Sequence, residues 1–180
     1  MPIIIPGIQS LVQCLEVLNN PLLEQFFPFG CPNCGKSGLW CHGSYPRKPD
    51  RESQPGESLN PILIQRYLCP SCWRTCSVLP ECIPPRRWYM WAVQQAVLMF
   101  SLTGKSMRAI AKESAPSRHT ISRWMTRFKE RFNLHKDALC VRLIELGRTS
   151  GFSEFWEGTL KQMPLSKAMY RCHASGVIVP

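Results

Sequence analysis

Two Cys-x-x-Cys pairs constrain the fold of this chain more than any other feature of its sequence. They are Cys31-Pro-Asn-Cys34 and Cys69-Pro-Ser-Cys72. Two intervening residues let both thiolates of a tight turn face one ion, and two such turns complete a tetrahedral four-sulfur site. The sequence therefore predicts one structural Zn²⁺ bound by Cys31, Cys34, Cys69 and Cys72. A closed site of this kind stabilises the fold and leaves no coordination position for a reacting water.

Other interpretations of these cysteines stay open at this point. The four could be ordinary buried residues, or two separate redox dithiols. Gly35 after the first pair suits a left-handed turn, whereas Trp73 at the matching place is a weaker fit. Four neighbouring residues could substitute as ligands: Cys41, His42, Cys76 and Cys82. Cys41 and Cys76 are expected instead to pack as small apolar residues, and Cys14, Cys140 and Cys172 to be core or surface thiols.

The chain combines a β-rich first part with a helical second part, so we expect an α+β protein. We expect a helical segment over 1–30, a zinc-ribbon hairpin over 31–85, a helix-turn-helix domain over 86–132 and a C-terminal helical extension over 133–180. Strands are expected near 39–40 and 62–64, joined by a proline-rich loop over 46–61. Residues 8–27 are expected to form one helix, broken near Asn19-Asn20-Pro21, and then a second short turn. Further helices are expected over 88–102, 106–113, 117–132 and 134–146, and the last thirty residues should be irregular or short-helical.

The positive charge is concentrated in one segment. The chain carries a formal net charge of +10, and residues 86–136 hold eleven Lys and Arg against two Glu. A concentrated field of one sign indicates an anionic partner, and double-stranded DNA is the expected one. The sequence begins without the basic and apolar regions of a secretory signal, and no apolar stretch approaches the roughly 18 residues of a membrane span. We therefore expect a cytoplasmic, nucleoid-associated protein with no membrane partner.

Residues 107–124 have the spacing of a helix-turn-helix. Ala111, Ala115, Ile121 and Trp124 are placed to interlock between two crossing helices, and Ser117 is placed to cap the second helix. With Ile121, Trp124 and Phe128 inward, the exposed face offers candidate base contacts: Arg118, His119, Ser122 and Arg123. Candidate phosphate contacts are Lys105, Arg108, Lys112, Arg127, Lys129 and Arg131. The alternative is a solvated basic face on a helical bundle. Trp88, Tyr89 and Trp91 are expected in the core.

Several short motifs carry a family resemblance. They are Cys31-Pro-x-Cys-Gly, His42-Gly-Ser-Tyr-x-Arg47, Arg66-x-x-Cys69-x-x-Cys72-x-Arg-Thr75 and Ser77-x-Leu-Pro80, followed by the helix-turn-helix pattern. Over about residues 28–132 the chain resembles the zinc-ribbon and DNA-binding N-terminal part of bacterial insertion-sequence transposases, and small stand-alone proteins of that type. Those proteins usually have an aromatic residue where this chain has Cys76.

The resemblance implies a role in transposition without the catalytic step. Such transposases use an RNase H-like domain in which three carboxylates hold two metal ions. This chain has only two aspartates, Asp50 and Asp137, and 48 residues follow Phe132. We therefore expect no enzyme, but a truncated transposase, an accessory subunit of a separate catalytic transposase subunit, or a repressor of a mobile element.

Two other function classes stay open. One is a transcriptional regulator unrelated to transposition, and the other is a Cys-x-x-Cys redox protein. The sequence contains neither a Gly-rich phosphate loop nor a His-Glu-x-x-His motif. Because many helix-turn-helix readers bind paired half-sites, a homodimer is a further expectation.

Overall fold

The protein has a mixed α+β fold, as the sequence predicts. The computed structural model describes residues 2–18, 28–49, 58–85, 88–149, 151–177 and 179. The chain divides into two compact units, Met1–Tyr89 and Met90–Pro180, here called unit 1 and unit 2. Among the described residues, unit 1 contains the β-sheet and one α-helix, and unit 2 is helical. Unit 2 thus includes the predicted helix-turn-helix domain from Met90 onward, together with the C-terminal extension.

Unit 1 is built on a four-stranded sheet. Its strands are β1 (Ile3–Ile5), β2 (Trp40–Arg47), β3 (Ile62–Leu68) and β4 (Thr75–Pro80), in the order β1-β4-β3-β2. β3 pairs antiparallel with both β2 and β4, and β1 pairs parallel with β4. The loop predicted over 46–61 begins later than expected, because Pro46 and Arg47 still pair with β3 as part of β2. Residues 50–57 of this loop lie outside the described part.

The sequence patterns found β2 and β3 but missed β1 and β4. β1 has only three residues between prolines, too few to establish a period of two. β4 begins Thr-Cys-Ser, which lacks the apolar alternation that marks a strand. β1 becomes a strand because β4, distant in the sequence, pairs with it, and Ile4 stands opposite Leu79. β4 becomes a strand because it pairs with β1 on one side and with the preceding strand β3 on the other, where Tyr67 stands opposite Cys76.

The N-terminal part of unit 1 packs against the end of β4. The Glu81 backbone N–H donates to the Ile5 carbonyl at 3.0 Å, and the buried Glu81 carboxylate accepts from the Gly7 N–H at 2.9 Å. Gly7 has φ +87°, a conformation that glycine adopts most easily. Helix α1 (Leu11–Leu18) follows. It corresponds to the helix predicted in the first part of 8–27, whereas the predicted break near Asn19-Asn20-Pro21 and the short turn after it lie outside the described part.

Unit 2 contains six α-helices in its described residues. They are α2 (Trp91–Leu102), α3 (Met107–Glu113), α4 (Arg118–Glu130), α5 (Phe132–Cys140), α6 (Phe152–Gln162) and α7 (Leu165–Ala174). A 3-10 helix, Ile144–Arg148, follows α5. The helix predicted over 134–146 therefore ends earlier, at Cys140. The last thirty residues, predicted as irregular or short-helical, form two regular helices.

The C-terminal helices belong to the same core as the helices before them. The Trp156 ring of α6 packs edge-on against Phe128 of α4, with ring centroids 5.4 Å apart, and against Phe155 at 5.3 Å. The Leu165 N–H at the start of α7 donates to the Gln95 side chain of α2 at 2.7 Å. Because α6 and α7 present complete apolar faces to this core, they fold as helices despite weak sequence signals.

Two packing expectations are wrong. Trp91 is buried at the start of α2 as predicted, but Trp88 is 68% exposed because the helix begins after it. Cys76 is buried on β4 as predicted, whereas Cys41 on β2 is exposed. Cys41 lies next to the register shift between residues 41 and 44, where the regular pairing of β2 with β3 is interrupted.

Candidate functional site

The four predicted ligands lie together at one end of the sheet of unit 1. Cys31 and Cys34 belong to a tight turn before β2, and Cys69 and Cys72 to the turn that joins β3 to β4. We call these turns the first and second knuckle (residues 31–36 and 69–74). The one ligand atom that each cysteine offers lies within 4.8 Å of the other three. The four-cysteine cluster could therefore hold one metal ion.

Both knuckles have the same backbone hydrogen bonds. In the first, the Cys31 N–H donates to the Lys36 carbonyl at 2.9 Å and the Gly35 N–H donates to the Cys31 carbonyl at 2.8 Å. In the second, the Cys69 N–H donates to the Arg74 carbonyl at 3.0 Å and the Trp73 N–H donates to the Cys69 carbonyl at 2.9 Å. The two turns thus present their cysteines as equivalent pairs, which a four-ligand site requires.

The sulfur positions fit tetrahedral coordination of one metal ion. The closest sulfurs belong to different knuckles: Cys31 Sγ is 3.6 Å from Cys72 Sγ, and Cys34 Sγ is 3.6 Å from Cys69 Sγ. Four sulfurs bound at about 2.3 Å to one Zn²⁺ are about 3.8 Å apart. These distances greatly exceed the roughly 2.05 Å of a disulfide. Contact across the knuckles favours a shared ion over two separate dithiols.

Backbone groups favour the thiolate form of the first cysteine in each knuckle. The Asn33 N–H, 3.4 Å from Cys31 Sγ, is the main cause of a lowered Cys31 pKa. The backbone N–H of Cys72, with that of Ser71, lowers the pKa of Cys69 to about 6. A positive N–H dipole stabilises the anion, and metal ligation requires that anion.

The pKa of Cys34, the second cysteine of the first knuckle, is shifted in the opposite direction. The Lys36 N–H lowers the pKa of Cys34, but burial and the neighbouring Cys69, Cys31 and Cys72 raise it more, to about 11. Four thiols this close therefore do not all ionise at neutral pH unless a cation is among them. The donor set matches a soft divalent ion such as Zn²⁺.

Trp73 stands where the second knuckle needs a left-handed residue. Gly35 has φ +75° in the first knuckle, and Trp73 has φ +54° in the second. For a residue with a side chain this conformation costs about 1–2 kcal/mol. The sequence mismatch noted at this position is therefore real, and the knuckle forms in spite of it.

A side-chain hydrogen bond that the sequence analysis missed joins the two knuckles. The Arg74 Nη1 donates to the Asn33 side-chain oxygen at 2.9 Å. Residues 33 and 74 belong to different turns, and neither Cys-x-x-Cys spacing contains a signal for this bond. Arg74 thus ties the second turn to the first and helps to align the four sulfurs.

The alternative ligands do not join the cluster. In the described part of the chain, the group close enough to share one ion is Cys31, Cys34, Cys69 and Cys72. His42 is exposed on β2, and Cys82 is buried after β4. Burial raises the pKa of Cys82 to about 12, which suits an inert packing thiol.

In unit 2, α3 and α4 are joined by the four-residue segment 114–117. Ser117 caps α4, its hydroxyl accepting from the Thr120 N–H at 3.4 Å, and Ser106 caps α3 through the Ala109 N–H at 3.2 Å. The cap predicted at Ser117 is therefore confirmed. Ala115, predicted to interlock in the turn, is exposed, and Pro116 is the buried residue there instead.

Helix α4 separates its apolar and cationic residues. Ile121, Trp124 and Phe128 are buried as predicted, at 3% exposure or less. The structure places the candidate base contacts Arg118, His119 and Arg123 in the solvent and leaves Ser122 half-buried. Of the candidate phosphate contacts on these two helices, Arg108, Lys112 and Lys129 are exposed and Arg127 is half-buried. We call the cations of α3 and α4 together the cationic surface.

The two remaining candidate phosphate contacts have other surroundings. Lys105 Nζ is 2.7 Å from the Glu113 carboxylate and lies 4.3 Å from the centroid of the Phe100 ring. Its charge is therefore partly neutralised within unit 2. Arg131, half-buried, is the residue that closes α4.

None of the helices in the described part of the chain combines the length and the apolar character that a membrane crossing requires. A family described as a domain of unknown function (DUF6431) matches residues 31–124. The match begins at the first cysteine of the cluster and ends at Trp124, so it includes both knuckles and the N-terminal half of α4. No curated protein and no solved structure matches the chain.

Proposed function

The chain belongs to the DUF6431 family, and we propose that it is a zinc-stabilised protein that binds double-stranded DNA in a sequence-specific manner. The observation that carries the proposal is the cationic surface, in which Arg118 and Arg123 of α4 are exposed while the apolar residues Ile121, Trp124 and Phe128 of the same helix are buried. A helix with this division, entered through a capped turn from a preceding helix, fits the major groove.

We propose that the four-cysteine cluster binds one structural Zn²⁺ and that unit 1 is a zinc ribbon. The equivalent knuckles, the cross-knuckle sulfur distances of 3.6 Å and the all-thiolate donor set support this. A fully ligated ion of this kind contributes folding free energy and no chemistry.

We propose that α3, the segment 114–117 and α4 form a helix-turn-helix. Arg118, His119, Ser122 and Arg123 on the first turns of α4 are then the base contacts. The phosphate contacts are Arg108, Lys112, Arg127, Lys129 and Arg131, with Lys105 contributing less because of its ion pair to Glu113.

The resemblance to insertion-sequence transposases supports a role in transposition. In this proposal the chain reads DNA for a separate catalytic transposase subunit, or represses a mobile element, and binds paired half-sites as a homodimer. We assign no DNA cleavage to its own residues, because the resemblance covers about residues 28–132 and does not include the RNase H-like domain in which three carboxylates hold the metal ions.

Metal binding is tested by zinc content and by chelation. About one zinc per chain is expected, and its removal should unfold unit 1. Cys34→Ser should lower zinc content, whereas the matched control Cys41→Ser, an exposed cysteine outside the cluster, should not. A metal-free protein that stays folded and cycles a dithiol would contradict this assignment.

DNA binding is tested by selection from a random duplex pool followed by anisotropy on the selected site. Arg123→Ala should relax sequence preference at one position, with a loss of about 1–3 kcal/mol. Lys129→Ala should weaken binding to all duplexes alike and should reduce the slope of log affinity against log salt concentration by about 1. Lys167→Ala, an exposed lysine on α7 away from α3 and α4 in sequence, is the charge-matched control. Salt-insensitive binding, or no selected sequence, would overturn the proposal.

A further inference from the structure

Three large aromatic side chains are exposed at the end of unit 1 that carries the four cysteines. Trp73, in the second knuckle, is 71% exposed, and Trp40, the first residue of β2, is 56% exposed. Trp40 stands opposite Leu68, the residue before Cys69. Phe29 is 95% exposed two residues before Cys31. We call Phe29, Trp40 and Trp73 the knuckle aromatics.

Trp73 has no evident structural reason to be a tryptophan. Its backbone is left-handed, and the equivalent Gly35 shows that glycine satisfies the same turn and the same hydrogen bond. Its side chain lies mainly in solvent, so little buried area offsets the unfavourable backbone conformation. A strained and exposed aromatic residue indicates a contact with another molecule.

The charges around the knuckle aromatics have one sign. Residues 28–49 and 58–80 contain five basic residues and no Asp or Glu: Lys36, Arg47, Lys48, Arg66 and Arg74. Lys36 and Arg74 close the two knuckles. A divalent ion with four thiolates carries a charge of −2, so this part of unit 1 keeps a net charge of about +3.

Arg66 places a cation on the same face of the sheet as Trp40. Leu68 stands opposite both Trp40 and Thr75, so the three side chains share one face. Arg66, two residues before Leu68, lies on that face too, and its guanidinium donates to the Thr75 hydroxyl at 3.3 Å. The Trp40 ring and the Arg66 guanidinium thus share one face of the sheet, at the end from which the second knuckle begins.

We propose that the knuckle aromatics and the surrounding cations form a binding site for single-stranded nucleic acid. Unpaired bases expose their faces and stack on Trp73 and Trp40, while Lys36, Arg66 and Arg74 contact phosphates. Bases within a duplex are already stacked on each other, so this site prefers unpaired strands. The site lies in unit 1 and does not depend on duplex binding by the cationic surface of unit 2.

The test measures anisotropy of labelled oligothymidine of about twelve nucleotides, with oligouridine of equal length as a second probe. Trp73→Gly and Trp40→Ala in the full-length protein should each weaken binding at least about fivefold. Trp88→Ala is the matched control, because Trp88 is 68% exposed and lies outside both knuckles in sequence, after the end of β4 at Pro80. The tighter probe identifies the site as one for DNA or for RNA.

Stability separates a binding role from a structural one. Trp73→Gly should keep its zinc content and melt no lower than the parent protein, because glycine relieves the left-handed backbone. Loss of oligonucleotide binding with unchanged zinc and stability therefore supports the site. No binding of either oligonucleotide, an unchanged affinity in Trp73→Gly, or an equal loss on duplex DNA would overturn it.

Failure of the proposed function can be recognised separately. Arg123→Ala should weaken duplex binding and leave oligothymidine binding unchanged. Oligothymidine binding that depends on Trp73 in a protein that binds no duplex would support this site and contradict the duplex proposal alone.

Discussion

Lowering the pH from about 8 to about 5 is expected to destabilise unit 2 through His135. This side chain, on α5, is fully buried, and neither ring nitrogen has a hydrogen-bond partner among the described residues. Its ring lies between Phe128, with centroids 6.2 Å apart, and Trp156, at 5.7 Å. Burial, together with the charge of Arg131, lowers the His135 pKa from 6.5 to about 4.

The sign and size of the effect follow from this shift. In the unfolded chain His135 takes up a proton near pH 6.5, whereas in the folded unit it resists protonation down to about pH 4. Between these values the unfolded state binds more protons, so stability falls as the pH falls. The loss is about 2 kcal/mol at pH 5 and approaches about 3 kcal/mol below pH 4.

Urea unfolding at several pH values, followed by tryptophan fluorescence, measures this loss. The parent protein is compared with His135→Phe, in which an aromatic ring without a titrating group replaces the imidazole among aromatic neighbours. His135→Leu is a second variant for the case in which Phe packs poorly. A metal ion released from the four-cysteine cluster at low pH would affect both proteins equally and cancel in the difference. His119→Gln, at an exposed position on α4, is the control and should keep the parent pH dependence.

The parent protein should lose about 2 kcal/mol more than His135→Phe between pH 8 and pH 5. Parallel pH profiles for the two proteins would refute the reasoning, since they would mean that His135 titrates alike in the folded and unfolded states. A flattened profile in His119→Gln would equally show that another histidine causes the effect.

Three further predictions concern unit 2. Ser117→Ala should cost about 1 kcal/mol in urea unfolding because the Thr120 N–H loses its cap; an unchanged midpoint would contradict this. Glu113→Gln should release Lys105 from its 2.7 Å ion pair, raising duplex affinity and steepening the salt slope by about 1 in anisotropy titrations; a flatter slope would contradict the phosphate role of Lys105. Trp156→Ala should lower the free energy of unfolding by about 3–5 kcal/mol. A single cooperative urea transition would show that α6 unfolds together with α4, whereas separate transitions would show that the two helices unfold independently.

The sequence was most informative where a short motif contains its own geometry. The spacing of two Cys-x-x-Cys pairs was enough to predict the cluster of Cys31, Cys34, Cys69 and Cys72, because a turn of fixed length fixes where its thiolates point. The cap at Ser117 and the buried stripe of α4 were predictable for the same reason, since capping and the helical period act within a few residues.

Features that depend on distant partners were not predictable. Ile3–Ile5 is a strand only because Val78–Pro80 lies beside it, and α6 and α7 are regular helices because the core of unit 2 covers their apolar faces. A short stretch of sequence does not contain the partner segment in either case, so it cannot indicate the contact.

The sequence by itself determined the ligand set of the cluster, the concentration of positive charge in residues 86–136 and the division of α4 into two faces. Tertiary structure decided that the sulfurs contact across the knuckles and that Asn33 and Arg74 join them. It also decided that Trp73 is exposed on a left-handed backbone and that His135 is buried without a partner. The features that the sequence determined depend on composition and on local backbone geometry. The features that tertiary structure decided depend on burial and on contacts between distant segments.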